Sequence, residues 1–150
     1  MKLLAALDLA TTTPSVLREA RSWARRLSAE LFLIHVAEPD PDFVGYGPGP
    51  ESVRLAVAHK FQRAHVQIEA AARELRQEGV NTTALLVQGA TAETILREAE
   101  NLSVDAILMG TRAHGAVREL FVGSTSKGVL RQSTRPVLLI PPHDTPAKPV

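Results

Sequence analysis

Five short apolar runs divide the chain: Leu3 to Asp8, Leu31 to Val36, Thr83 to Val87, Ala106 to Met109 and Val137 to Ile140. Each is continuous and does not alternate with polar residues, the pattern of a strand covered on both faces in a parallel sheet. Between the runs the period lengthens to that of a helix. A first helix is predicted with Thr13 as N-cap and Pro14 in the first helical position. Its apolar residues Val16, Ala20, Trp23 and Leu27 recur at steps of 4, 3 and 4. A longer helix fills Glu51 to Glu78, striped by Val53, Val57, Phe61, Ala64, Ile68, Ala71 and Leu75, with Gly79 placed to end it. A third runs from Ala92 to Leu102, capped by Thr91, with Ile95, Ala99 and Leu102 on one face. The fourth starts at Ser124 or Thr125, directly after Gly123, and carries Val129 and Leu130 inward.

Strands and helices alternate along the whole chain. That order implies right-handed crossovers and an open, doubly wound, five-stranded parallel α/β sheet of Rossmann-like form. The stretch from Glu38 to Pro50, rich in Pro, Gly and Asp, reads as a mobile surface loop. Four prolines crowd the ten residues after Ile140, so the tail is expected to be disordered beyond about His143. With no internal repeat, the chain reads as a single domain over residues 1–143 and a flexible tail over 144–150.

Composition narrows the function classes. At 150 residues the chain can bury one core. Its net charge of +1 gives no reason to expect non-specific binding to nucleic acid or a membrane surface. The absence of cysteine removes disulfides, thiolate catalysis and thiolate metal sites. The opening MKLLAALDLA resembles a signal peptide only superficially: Asp8 interrupts it and no small-residue cleavage site follows. No apolar segment approaches the roughly 18 residues of a membrane span, and a cytoplasmic location is the default expectation.

In open α/β sheets ligands bind beyond the carboxyl ends of the strands, near the point where strand order reverses. That rule selects Asp8 to Thr12, Val36 to Glu38, Gly89 to Thr91 and Met109 to Ser126. The last is the most informative. Gly110 follows a strand directly, where it lets the backbone turn and approach a ligand. Gly123 is followed by Ser124, Thr125 and Ser126 at the start of a helix, an arrangement suited to an anion. Arg112 offers a positive charge for a phosphate. The plainer reading stays open, in which Gly110 only makes a turn and Ser124 only caps a helix.

Other chemistry finds less support. His59 and His65 are six apart on a helix, so they diverge from a shared face and read as surface residues. His35 reads as a core or strand-end histidine, and His114 sits beside the anion turn. No paired-carboxylate, Walker A or Gly-x-Ser-x-Gly motif is present. The first strand-to-helix turn, Asp8 to Pro14, contains no glycine, which argues against a dinucleotide-binding Rossmann enzyme.

The glycine pattern resembles the Gly-x2-Gly-x9-Gly-Ser/Thr signature of the UspA-type universal stress proteins, with Gly110, Gly123 and Ser124 in its first, third and fourth places. Ala6-Leu7-Asp8, Leu33-Ile34-His35-Val36, Val87-Gln88-Gly89 and Arg135 to Pro141 resemble further elements of that family, so the likeness spans residues 2 to 141. It implies a fold like that of the adenine nucleotide alpha hydrolases, with strand order 3-2-1-4-5. It further implies a site for an adenine nucleotide, ATP or AMP, with Mg²⁺ entering through the phosphates. Asp8 and Val36 would then lie near the nucleoside, Met109, Gly110, Arg112 and Ala113 along the turn, and Gly123, Ser124 and Thr125 at the phosphates. The resemblance implies a stress-response or signalling module with little or no catalytic turnover, and a homodimer formed by pairing the last strand, Val137, Leu138, Leu139 and Ile140.

Two departures from the pattern bear on this. Ala113 stands where the second glycine belongs and Ala10 where the first-strand element has serine. If position 113 required a positive φ, alanine would cost about 1 kcal/mol or more, unless Gly115 supplied the freedom instead. The alternative function is accordingly a dimeric interaction module that keeps the fold around a degraded, nucleotide-free pocket. An enzyme on the same sheet is the third reading; any ATP hydrolysis would be slow and incidental.

Overall fold

The computed structural model describes residues 1–39, 51–113 and 120–142. In chain order its elements are β1 (Lys2–Ala6), α1 (Thr13–Leu27), β2 (Glu30–Ala37), α2 (Glu51–Gln77), β3 (Thr82–Gln88), α3 (Thr91–Asn101), β4 (Ala106–Gly110), β5 (Arg112–Ala113), β6 (Leu120–Phe121), α4 (Ser124–Gln132) and β7 (Val137–Ile140). Five strands form one sheet in the order β3-β2-β1-β4-β7, all pairs parallel. With β7 as the fifth strand, this is the expected 3-2-1-4-5 order. β1 lies between β2 and β4, with Leu3 opposite both Leu31 and Ala106. The chain therefore builds outward on one side of β1 and then returns to build on the other, which places the reversal of strand order between β1 and β4.

Continuous apolar strands follow from this layering, because successive side chains point to opposite faces and both faces are covered. Leu3, Ala5, Leu31, Leu33 and Leu108 enter the core beneath α1 and α2. Their neighbours Leu4, Phe32, Ile34 and Ile107 enter the core beneath α3 and α4.

The helices correct several sequence expectations. Thr12, not Thr13, is the N-cap of α1, and the Thr13 hydroxyl turns back to Asp8 instead. Trp23 and Leu27 are 42% and 39% exposed, whereas Val16, Ala20 and Ala24 are buried; the side of α1 nearest the sheet is the one with small residues. In α2 only Ala64, Ile68, Ala72 and Leu75 are buried, and Phe61 is exposed. Length explains this. At 27 residues the helix runs about 40 Å, while strands of 4 to 8 residues reach only about 13 to 27 Å. Ala90, not Thr91, precedes α3 as its N-cap, without a side-chain hydrogen bond. In α4 Val129 is fully buried and Leu130 is 44% exposed, since consecutive helical residues lie about 100° apart and one helix face meets the sheet.

The ribbon β5–β6, in which Arg112 pairs with Phe121 and Ala113 with Leu120, antiparallel, leaves no trace in the apolar pattern of the sequence. Residues 40–50 of the expected mobile loop, the tail from 143, and His114 and Gly115 lie outside the described residues. Among the described residues no helix is long and apolar enough to cross a membrane.

Candidate functional site

At the carboxyl ends of β1 and β4 a cavity of about 490 Å³ opens between the β1–α1 turn, the end of β2 and the start of α4. The β1 side is built around Asp8. Its Oδ1 accepts the Ala10 N–H at 2.9 Å and the Thr13 hydroxyl at 2.9 Å, and Oδ2 accepts the Thr12 N–H at 3.4 Å. This network holds the turn, in which Leu9 adopts φ 53°, a left-handed conformation that side chains other than glycine rarely take. Burial acts to raise the Asp8 pKa, but the hydrogen bonds from Ala10, Thr13 and Thr12 outweigh it and the net shift is downward. The carboxylate is therefore ionised and acceptor-only at neutral pH. Oδ1 already takes two donors; Oδ2 keeps capacity for another.

Gly110 ends β4 against this turn. A Cβ there would lie 2.4 Å from the Thr12 Cβ, so glycine is required by close packing. A left-handed backbone is not the reason: among described glycines, positive φ occurs at Gly79 and Gly89. From β2, His35 donates its Nδ1 proton to the Leu7 carbonyl at 2.8 Å, the strand-end role its position suggested. Val36, Ile34, Met109 and Ile95 form an apolar wall. Opposite in character is the pair Glu38 and Thr91, whose hydroxyl donates to Glu38 Oε1 at 2.6 Å.

The start of α4 supplies the remaining side. Gly123 is its N-cap, with φ −63° and ψ 167° and no side-chain cap; Ser124, Thr125 and Ser126 form the first turn and line the cavity. Amides at a helix start lack intrahelical partners, and the helix dipole adds a positive partial charge, so this turn favours an anion. Arg112 Nη2 lies 3.9 Å from Asp8 Oδ2. The guanidinium is largely exposed, so the pair contributes little to stability.

Asp8, Val36, Met109, Gly110, Arg112, Gly123, Ser124 and Thr125 thus line one cavity. Ala113 sits in the extended ribbon β5, a conformation that alanine adopts without strain, so the cost attached to a positive φ does not arise from this pairing. The segments selected from sequence also contain Thr12, Glu38, Thr91 and Ser126, which line the cavity but were not singled out as site residues. Ile34 and Ile95 carried no signal at all, because wall residues of a cavity look like any other core positions.

The sequence profile of the universal stress protein family matches residues 1–141. The chain belongs to that family. A universal stress protein of Thermus aquaticus, named for its place in the QAH/OAS sulfhydrylase 3′ region, is 37% identical over 123 residues, covering 81% of this chain and 84% of its own. The solved structure of the Methanocaldococcus jannaschii universal stress protein MJ0577 superposes with a TM-score of 0.74 at 24% identity, over 96% of this chain and 97% of that one. The universal stress protein of Archaeoglobus fulgidus, solved in complex with dAMP, gives 0.65 at 21% identity, over 93% and 97%. At these identities the two structures establish a shared universal stress protein fold.

Proposed function

We propose that this universal stress protein binds an adenine nucleotide, AMP or ATP, in the cavity between β1 and α4, as a dimeric stress-response or signalling module with little or no turnover. The base lies on the apolar wall of Val36, Met109 and Ile95, the ribose hydroxyls donate to Asp8 Oδ2, and phosphate meets the first turn of α4. Gly123 carries the reading. Its backbone angles are open to any residue, and a Cβ there would meet nothing within 4 Å among the described residues. Neither a left-handed backbone nor a packing contact of the described protein asks for glycine. As the N-cap of α4 glycine is better than alanine but no better than serine or asparagine, whereas a phosphate pressed against that backbone would exclude any side chain. The dAMP complex of the Archaeoglobus relative supports the same ligand class. Mg²⁺ would enter with the phosphates of ATP: among the described residues no group of three or more His, Asp or Glu is placed to hold a metal.

Calorimetric titration with AMP and ATP tests this. Gly123→Ala is expected to cost about 1 kcal/mol of stability or less, as a poorer N-cap, and to weaken nucleotide binding about tenfold or more, a loss of about 1.4 kcal/mol. Wild-type affinity in the variant would remove the phosphate from this helix end. No binding to the wild type at about 1 mM, weaker than about −4 kcal/mol, would instead favour the nucleotide-free interaction module.

The dimer proposal rests on β7, which occupies a sheet edge. Pro136 and Ile140 give their carbonyls to Ile107 and Thr111 of the β4 side. The alternate residues, Val137 and Leu139, therefore turn their backbone groups outward, where a second copy's strand would pair. Leu139→Pro deletes an outward N–H and is expected to sediment as a monomer with native circular dichroism. A dimer of undiminished stability would exclude strand pairing, and Leu139→Lys provides the same readout should the proline variant fail to fold.

A further inference from the structure

On both faces of the sheet, the helices beside β7 carry large apolar side chains that the described fold leaves exposed: Trp23 and Leu27 on α1, and Leu130 on α4. Their direction follows from their neighbours. Arg21 and Arg25 of α1 reach Glu78, just past the end of α2. Trp23 is two residues from each, about 200° round the helix, so it stands on the side of α1 turned away from α2. Since α2 packs on β3 and β2 while α1 reaches as far as β7, that side looks toward the β7 edge. Leu27, one turn on, shares it, and Leu138 of β7 packs into the core on this face. On the other face Gly128 of α4 abuts Ala92 of α3. Leu130, again two residues away, is turned from α3 toward the same edge, on the face where Val137 and Leu139 pack against the core.

We propose that these side chains form a two-sided clamp for a second copy of this chain, with Trp23 as its anchor. The inference rests on the β7 pairing proposed above and assigns what holds that pairing together. Antiparallel pairing of two edge strands about a two-fold axis continues the sheet, but strand hydrogen bonds alone leave both helix layers broken at the join. A lone peptide strand added to β7 satisfies its backbone and reaches neither layer. A second copy brings its own α1 and α4, and the two-fold, which stands perpendicular to the sheet, keeps each helix on the same face as its counterpart. Trp23 and Leu27 then close the gap to α1 of the partner copy, and Leu130 closes the gap to its α4. Tryptophan offers the largest apolar area of the three, and such a ring, desolvated within an interface, is the residue type that most often carries its energy.

Trp23 is the one tryptophan in the chain, so its fluorescence reads the clamp without any substitution. On dilution of the wild-type protein its emission is expected to move to longer wavelength, with the same midpoint that sedimentation gives for dissociation of the dimer. Trp23→Ala is expected to keep native circular dichroism, because the side chain is largely outside the core, and to weaken the dimer about 30-fold or more. Leu130→Ala is expected to weaken it less. A Trp23→Ala dimer as tight as wild type, or wild-type emission that does not change as the dimer dissociates, overturns the clamp and leaves strand pairing standing; the emission measurement decides should the variant fail to fold. A wild-type chain that sediments as a monomer at every concentration overturns both.

Discussion

Gly110→Ala is expected to cost about 2 to 3 kcal/mol of folding stability, at the upper end of overpacking substitutions, and to disable the cavity. The new methyl would meet the Thr12 Cβ at 2.4 Å, its Oγ1 at 2.7 Å and its Cγ2 at 3.1 Å. None of these is the far end of a long side chain that could swing aside. Thr12 is only 7% exposed, its N–H is held by Asp8 and its carbonyl by Val16. Gly110 is fixed in turn by its register with Ile140 of β7. The strain must therefore open the β1–α1 turn or tilt the end of β4, and either movement separates Asp8 from α4. Urea denaturation of the variant gives the cost. The double variant Thr12→Gly, Gly110→Ala is expected to recover at least half of it, because glycine removes all three clashing atoms and is a tolerated N-cap. A Gly110→Ala protein as stable as wild type would show that the two turns are not in this contact.

Ile68→Ala should be as costly or more so, about 3 to 4 kcal/mol, while Phe61→Ala, a larger truncation on the same helix, should cost about 1 kcal/mol or less. Ile68 is fully buried and belongs to the core with Leu31, Leu33 and Leu75. Phe61 lies two turns nearer the start of α2 and is 40% exposed, where the helix has run past the sheet. Denaturant midpoints for the pair measure the difference. Equal losses would mean that the first half of α2 is covered in solution by something other than this fold.

That contrast also marks what the sequence could tell. Five continuous apolar runs located the strands of the sheet to within two residues, because burial on both faces leaves an unbroken local trace. The stripe on α2 identified its inward side correctly but said nothing of how far the sheet beneath it extends. Hence Ile68 and Phe61 look equivalent in sequence and differ in the fold. Ala24 displaced Trp23 as a core position because α1 lies close to the sheet, and closeness selects small residues that hydropathy ranks low. β5 and β6, two residues each, are too short to show any period.

The site was legible where chemistry is local. Asp8, Gly123, Ser124 and Thr125 stood out because a carboxylate after a strand and hydroxyls at a helix start are unusual over a few residues. The contacts that give the cavity its shape are remote in sequence. Thr12 meets Gly110, and Glu38 meets Thr91, and neither residue of either pair announces the other. Ala113 is the instructive case. The concern over a missing glycine assumed a turn at that position, whereas the chain is extended there and paired with Leu120.

The placement of β1 has a bearing on how the chain is made. Its first neighbour, β2, follows within some thirty residues, but its second, β4, pairs through Leu3 and Ala106, more than a hundred residues apart. At translation rates of roughly 5 to 20 residues per second, the central strand of the finished protein spends several seconds on the ribosome as a bare flank. Its row of unpaired amides and the apolar residues Leu3 to Ala5 stay open to other nascent chains until β4 emerges.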